Sequence, residues 1–429
     1  MTGEGERAPT RVGVLGSSHQ ALVDAHGAVT PDDSGWQLDW WIGADDRWHV
    51  PEHEPAVRQS LIDAAPVVET SLRVPGGDAV QRVYRVGGPA GLVAIEIENA
   101  SGAPFVVAFV IRPRLGGRVR DVDTRGSWIE VDGRPALLAP RPAMRWSVGE
   151  SGAVFDEVSG GRASAEEFAG AHDRAGRLEA AFLHPVPHRN RLRCALVAGR
   201  HDRSVPVDAV DLSLLPEAGD AAAGWAAQLR RGMQVVLPDA QLQQAVDAAR
   251  ASLLLAADAT ARLDGGEVAA LEDWGFDREA EAAWRRLGMG ERRRAGRREV
   301  DPRPWQSVRA RMQSASPAFT WPDGPAHLLR AVRDLLVAPR DDNSVALLVE
   351  LPAEWRGQSL EVHDAPTRAG RVSYAVRWHG PRPALLWECD RAIALTAPGL
   401  DPAWSTAEAR GEALLAAPAD APHDAGSFT

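Results

Sequence analysis

The chain has 429 residues, of which 45% are hydrophobic and 25% charged, and a net charge of -11, the composition of a folded globular protein long enough for about three domains. The acidic balance opposes binding to nucleic acid or to an anionic membrane surface, since both require clustered basic charge. All 48 basic residues are arginine, so the chain has no lysine for a pyridoxal-type Schiff base, a P-loop or a kinase strand, and ordinary versions of those classes are excluded.

The N-terminal stretch Met1 to Arg11 is polar, and no later run reaches the roughly 18 apolar residues of a membrane span. A cytoplasmic protein without a leader is the expectation. From Gln59 to Ile111, apolar runs of strand length alternate with turn residues: Val67-Val68, Ser71 to Val74, Val80 to Val86, Leu92 to Ile97 and Phe105 to Ile111, separated by Pro75-Gly76-Gly77-Asp78, Gly87-Gly88 and Asn99 to Gly102. Such alternation predicts antiparallel strands joined by tight turns. Trp128 to Val131, Ala153 to Val158, Leu178 to Leu183 and Ala195 to Val197 read as further strands, enough for a two-layer sandwich.

After Leu237-Pro238-Asp239 the period changes. Leu242, Val246, Ala249 and Leu253 recur at helical spacing. Val268 to Leu271 and Asp277 to Leu287 follow, broken at Trp274-Gly275, and a third helix begins beyond Gly324-Pro325 with Leu328, Leu329, Val332, Leu335 and Leu336 on one face. Strand patterns return at Val345 to Glu350, Leu360 to Val362, Val372 to Trp378 and Ala384 to Trp387. The expected fold class is therefore α+β multidomain. It comprises an N-terminal antiparallel β-sandwich over residues 1–215, a short helical block over 216–340, a small C-terminal β domain over 341–415 and a disordered tail over 416–429.

Several segments in this order resemble the glucoamylase-like, six-hairpin glycosidases. Ala21-Leu22-Val23-Asp24-Ala25-His26-Gly27-Ala28-Val29, ahead of the tryptophan-bearing Trp36 to Trp41, is similar to the opening strand and turn of their sandwich, and Val68 to Val74 to a following strand. Leu237-Pro238-Asp239 with Ala248 to Leu254 resembles the approach to the first barrel helix. Leu335-Leu336-Val337 and Leu351-Pro352-Ala353-Glu354-Trp355, continued by Thr367 to Ser373, resemble the exit helix and the start of the C-terminal unit. A full barrel of six hairpins needs on the order of 200 residues. Only about 100 lie between Pro238 and Val337, so the block would be a partial α/α barrel. The resemblance implies a carbohydrate-active protein that hydrolyses an α-glucoside through paired carboxylates, with no cofactor and no metal. Its alternative is an inactive descendant serving as a carbohydrate-binding or assembly module, with a protein partner or second copy covering the shortened helical block.

Inverting hydrolysis calls for one protonated and one ionised carboxyl on opposite sides of the bond. Glu272 and Asp273 beside Trp274 are the candidate acids and Asp323 after Trp321 the candidate base; the plainer reading is a solvated helix end and a capping aspartate. Sugar faces stack on aromatic rings, which nominates Trp36, Trp40, Trp41, Trp274 and Trp321 as substrate-binding, although with 15 tryptophans many must be core. His49-Val50-Pro51-Glu52-His53 has the spacing of an inverted zinc-protease motif, but Pro51 and Pro55 oppose the helix it needs. His184 and His188 flank a proline-stiffened loop with no third ligand. Cys194 and Cys389 read as small buried hydrophobes, and the basic run Glu291 to Arg298 as a solvated linker.

Overall fold

The computed structural model describes residues 8–17, 19–32, 34–87, 91–198, 210–258, 263–291, 300–340 and 342–418. Arg292 to Arg298 of the basic run, and the tail from residue 419 onward, lie outside them. The chain forms two compact units, Met1–Trp225 with Ser316–Thr320, and Ala226–Ala315 with Trp321–Thr429.

The first unit is the β-sandwich. One eight-stranded sheet runs in the order Thr10–Val12, Ala21–Val23, Val29–Pro31, Trp36–Gly43, Phe105–Pro113, Leu178–Val186 and Arg145–Glu150, with Trp48–His49 paired to Trp36–Gly43. The nine-stranded sheet is centred on Arg191–Val197, Leu92–Asn99, Gly77–Arg85 and Val67–Val74. Side chains alternate across each strand. Leu38, Trp40, Phe109, Ile111 and Phe182 from one sheet therefore meet Leu72, Val83, Ile95, Ile97 and Leu196 from the other in a single core. Cys194 is in this core; it and Cys389 are free and buried.

The segment Ala153 to Val158, expected as a strand, is instead helix α1, Ala153–Ser159. Gly152 at φ +90° turns the chain out of the preceding strand, and Val154 and Val158, four residues apart, are the buried pair. They pack with Trp41, Val110 and Leu183 on the outer face of the eight-stranded sheet. A four-residue spacing fits a helix and a strand pattern equally well in so short a run. The sheet surface awaiting cover decides it.

Helix α2, Ala218–Leu229, precedes the helical block of the second unit. Next come α3 (Ala240–Asp258), α4 (Gly265–Asp273), α5 (Asp277–Arg286), α6 (Pro304–Ser314) and α7 (Ala326–Leu336). The break at Trp274-Gly275 is real: Gly275 sits at φ +77°, where a side chain is strained. Asp239 caps α3, its Oδ1 accepting from the Gln241 and Leu242 amides at 2.9 and 3.0 Å. The strand Gln234–Val236 lies ahead of these helices yet edges a five-stranded sheet completed by Leu360–Thr367, Gly370–His379, Arg382–Cys389 and Arg410–Leu414. A four-stranded sheet joins Val337–Pro339, Val345–Leu347, Leu395–Ala397 and Asp401–Thr406.

Arg250, on α3, is 1% exposed, with its guanidinium over the Trp274 and Phe276 rings at 5.4 and 5.6 Å. It donates to Asp247 at 2.9 Å and to the Leu229 carbonyl at 2.6 Å. Among the described residues from 216 to 340, Val236 and Met289 are the large apolar side chains left exposed. No described helix is long and apolar enough to cross a membrane.

Candidate functional site

The second unit holds a pocket of about 400 Å³ between α6, the start of α3 and the 3-10 turn Ala353–Trp355. Pro304 occupies the first turn of α6, where its missing N–H costs nothing. Trp305, Val308, Arg309 and Met312 then follow at the i, i+3, i+4, i+7 spacing that places them on one helix face. Pro352 opens the 3-10 turn, whose Trp355 amide donates to the Pro352 carbonyl at 3.0 Å. The two indoles meet edge to face, with centroids 5.4 Å apart and an interplanar angle of 63°. Leu242, Val308 and Met312 complete an apolar floor, and Asp239, Gln241, Arg309, Gln313, Glu354 and Gln358 supply polar groups around it. Gln358 is fixed in place: its side chain donates to the Glu354 carbonyl at 2.6 Å, and its own carbonyl accepts the Trp378 indole at 2.9 Å. Trp355 is 2% exposed, and its indole N–H has no acceptor.

The residues nominated from sequence stand elsewhere. Glu272 and Asp273 end α4. Partial desolvation holds the Glu272 carboxyl above the usual carboxylate range, against the hydrogen bond from Trp284, while Asp273 and Asp277 add to the rise. Asp323 pairs with Arg311; some desolvation notwithstanding, that guanidinium holds its carboxyl below the usual range. A Cβ on the neighbouring Gly324 would stand 3.8 Å from Glu267 Oε1. The chain next to Asp323 thus passes near the first turn of α4, and Glu272 and Asp273 lie in its last turn.

The nominated tryptophans are packed. Trp40 (1% exposed) donates its indole N–H to the His26 carbonyl at 3.0 Å, and Trp36 shares its core. Trp41 meets Phe155 edge-on at 5.4 Å. Trp274 is fully buried and donates to the Leu329 carbonyl at 3.0 Å, and Trp321 donates to the Arg311 carbonyl at 3.0 Å. In this conformation none of these buried rings offers a free face to a ligand. Trp36, Trp40 and Trp41 belong to the first unit, Trp274 and Trp321 to the second.

The outer face of the eight-stranded sheet carries a charged cluster. Arg112 Nε lies 2.5 Å from Asp39 Oδ2, and its Nη2 lies 2.8 Å from Glu52 Oε2. Burial lifts the Asp39 carboxyl to about 7 against the pull of Arg112, and burial also raises Glu179 nearby. His49 of the zinc-like string is held between Asp46, at 3.0 Å, and Glu54, at 3.4 Å. His184 is 1% exposed in the sandwich, its ring 5.9 Å from Phe109 and both its nitrogens without partners. Among the described residues no three His, Cys, Asp or Glu side chains are grouped to hold a metal.

No family model matches the chain, and no curated protein matches it. Among solved structures it is similar to a family GH92 alpha-mannosidase from Bacteroides thetaiotaomicron, with 9% identity and a TM-score of 0.26 over 60% of this chain and 39% of that one. The chain therefore spans well under half the length of that neighbour.

Proposed function

We propose that this chain is a carbohydrate-binding protein and that its ligand site is the Trp305 and Trp355 pocket. The observation that carries the reading is the composition of that pocket: the half-buried Trp305 indole, backed edge-on by the buried Trp355, over an apolar floor ringed by three glutamines, two carboxylates and an arginine. Flat apolar sugar faces stack on indoles, and ring hydroxyls need donors and acceptors at the edge. A volume of about 400 Å³ is near the small end of the range for small-molecule sites. It suits one or two sugar rings better than a long chain. Asp239 is already engaged in capping α3, which favours binding over acid and base chemistry in this pocket.

A second reading, hydrolysis of an α-glucoside with Glu272 as the acid, draws support from the raised carboxyl of Glu272 beside the Trp284 indole. Asp273 and Asp323 remain its candidate partners. One experiment addresses both readings. Purified protein is titrated with a panel of mono- and oligosaccharides, read by indole fluorescence and calorimetry, and the same mixtures are assayed for released reducing sugar. Binding that Trp305→Ala weakens at least about tenfold, without sugar release, is the expected result. Release that Glu272→Gln abolishes would favour the hydrolase, and an intact response in Trp305→Ala would move the site away from this pocket.

A further inference from the structure

The charged groups of the pocket stand on different elements and do not neutralise one another. Asp239 opens α3, Glu354 lies in the 3-10 turn, and Arg309 stands on α6 one turn beyond Trp305. All three residues are exposed, so a ligand can reach them. Asp239 Oδ1 accepts the Gln241 and Leu242 amides. Among the described residues its Oδ2, the Glu354 carboxylate and the Arg309 guanidinium have neither an ion pair nor a hydrogen bond within the chain. Two carboxylates and one cation thus line a cavity of about 400 Å³ with their charge unmet, beside the half-buried Trp305 indole.

Resting on the carbohydrate reading above, we infer that the preferred ligand is an amino sugar whose amine is free and protonated. The ammonium gains from the carboxylates of Asp239 and Glu354, which line two walls of the pocket, and from the face of the Trp305 indole, since indole faces attract cations. The rest of the sugar uses the apolar floor of Leu242, Val308 and Met312 and the glutamines at the rim. Charge is what separates the candidate ligands. A plain hexose and an N-acetylated one are both neutral and form no ion pair with either carboxylate. A uronic acid gains from Arg309 alone and is repelled by Asp239 and Glu354. The ion pairs are open to water, which keeps the gain modest.

The test is calorimetric titration of the full chain with glucosamine, galactosamine, glucose, galactose, N-acetylglucosamine and glucuronate at about pH 6, below the range in which an amine gives up its proton. The amino sugars are expected to bind at least about fivefold more tightly than the plain and N-acetylated ones, with glucuronate the weakest. Raising the salt concentration should shrink that ratio, because exposed charges are screened. Glu354→Gln and Asp239→Asn each remove one carboxylate charge at nearly constant size, and asparagine remains a good helix cap. Each should cut the ratio at least about twofold, while Arg309→Gln, which removes the opposing cation, should raise it. Each variant alters the net charge of -11 by a single unit, so shifts of opposite sign report the pocket and not the field of the whole acidic chain. Equal affinity for glucosamine and glucose, or a preference that neither Glu354→Gln nor Asp239→Asn reduces, overturns the inference and leaves the carbohydrate reading standing. Absence of binding by every sugar overturns both.

Discussion

Arg250 is one of the largest fully buried side chains of the second unit. Its guanidinium is covered by Trp274 and Phe276 and holds the carbonyl at the end of α2 and the Asp247 carboxylate. Removing the side chain takes one donor from the Leu229 carbonyl and one from Asp247, and opens a gap beside two buried rings. Arg250→Ala is therefore expected to cost about 3–5 kcal/mol in chemical denaturation. Arg250→Lys keeps the charge but loses the flat contact with both rings, and should recover only part of that loss. A variant within about 1 kcal/mol of the parent would show that the network contributes little. At this scale the sequence was a poor guide to the site. Trp36, Trp40 and Trp41 stand out because they are close together in the chain, but alternation along their strand sends them into apolar layers on either side of the sheet. Trp305 and Trp355 are 50 positions apart, and neither is nominated from sequence as a sugar contact, although Trp355 ends the segment that resembles the start of a C-terminal unit. Only the meeting of α6 with a 3-10 turn makes them a pair, and the available hints were a proline one residue before Trp305 and the helical spacing of Val308 and Met312.

Elements were far more legible. Apolar runs bounded by glycine or asparagine turns became strands close to their expected bounds, as with Trp128–Val131 and Phe105–Pro113; the latter is apolar along its length because both of its faces are covered. α7 was readable for the complementary reason, a broad apolar stripe after a proline. α6 was not, since its apolar residues are few and its exposed face is rich in arginine and glutamine. α1 was misread because tertiary cover outweighed local pattern. α4 shows how a short helix with a weak stripe is still specified. Asp264 accepts from the Glu267 amide and Glu267 reaches back to the Asp264 amide, each at 2.8 Å, a reciprocal cap. Asp264→Ala should lower stability by about 1 kcal/mol, and Asp264→Asn by less, because asparagine remains a good cap. Urea denaturation followed by far-ultraviolet circular dichroism would test this, and equal losses in the two variants would count against a capping role.

Over the whole chain, proton linkage sums groups that no single contact describes, and two buried groups of the sandwich oppose one another. Desolvation pushes the His184 imidazole down to about 4 from its ordinary 6.5, with Arg141 adding to the fall. The unfolded chain therefore takes up this proton first, and the contribution of a neutral His184 is complete above about pH 6.5 and lost as pH falls through 4, a span of about 3 kcal/mol. Asp39 has the opposite sign. Raised by burial from 3.8 to about 7, with Arg112 and Gln37 pulling down and Asp24 and Glu52 pushing up, it contributes fully below pH 3.8, and that contribution is lost as pH rises through about 7. Between pH 4 and 6.5 the two slopes offset each other, so this pair adds little net pH dependence in that window. Each variant then exposes the other group. His184→Phe should make stability fall as pH rises across the window. Asp39→Asn, whatever it costs by leaving Arg112 without its closest carboxylate, should make stability rise with pH. The readout is the slope of the urea midpoint against pH, which is separable from the overall level of stability. Parallel profiles in the parent and both variants would mean that neither group titrates differently in the folded sandwich.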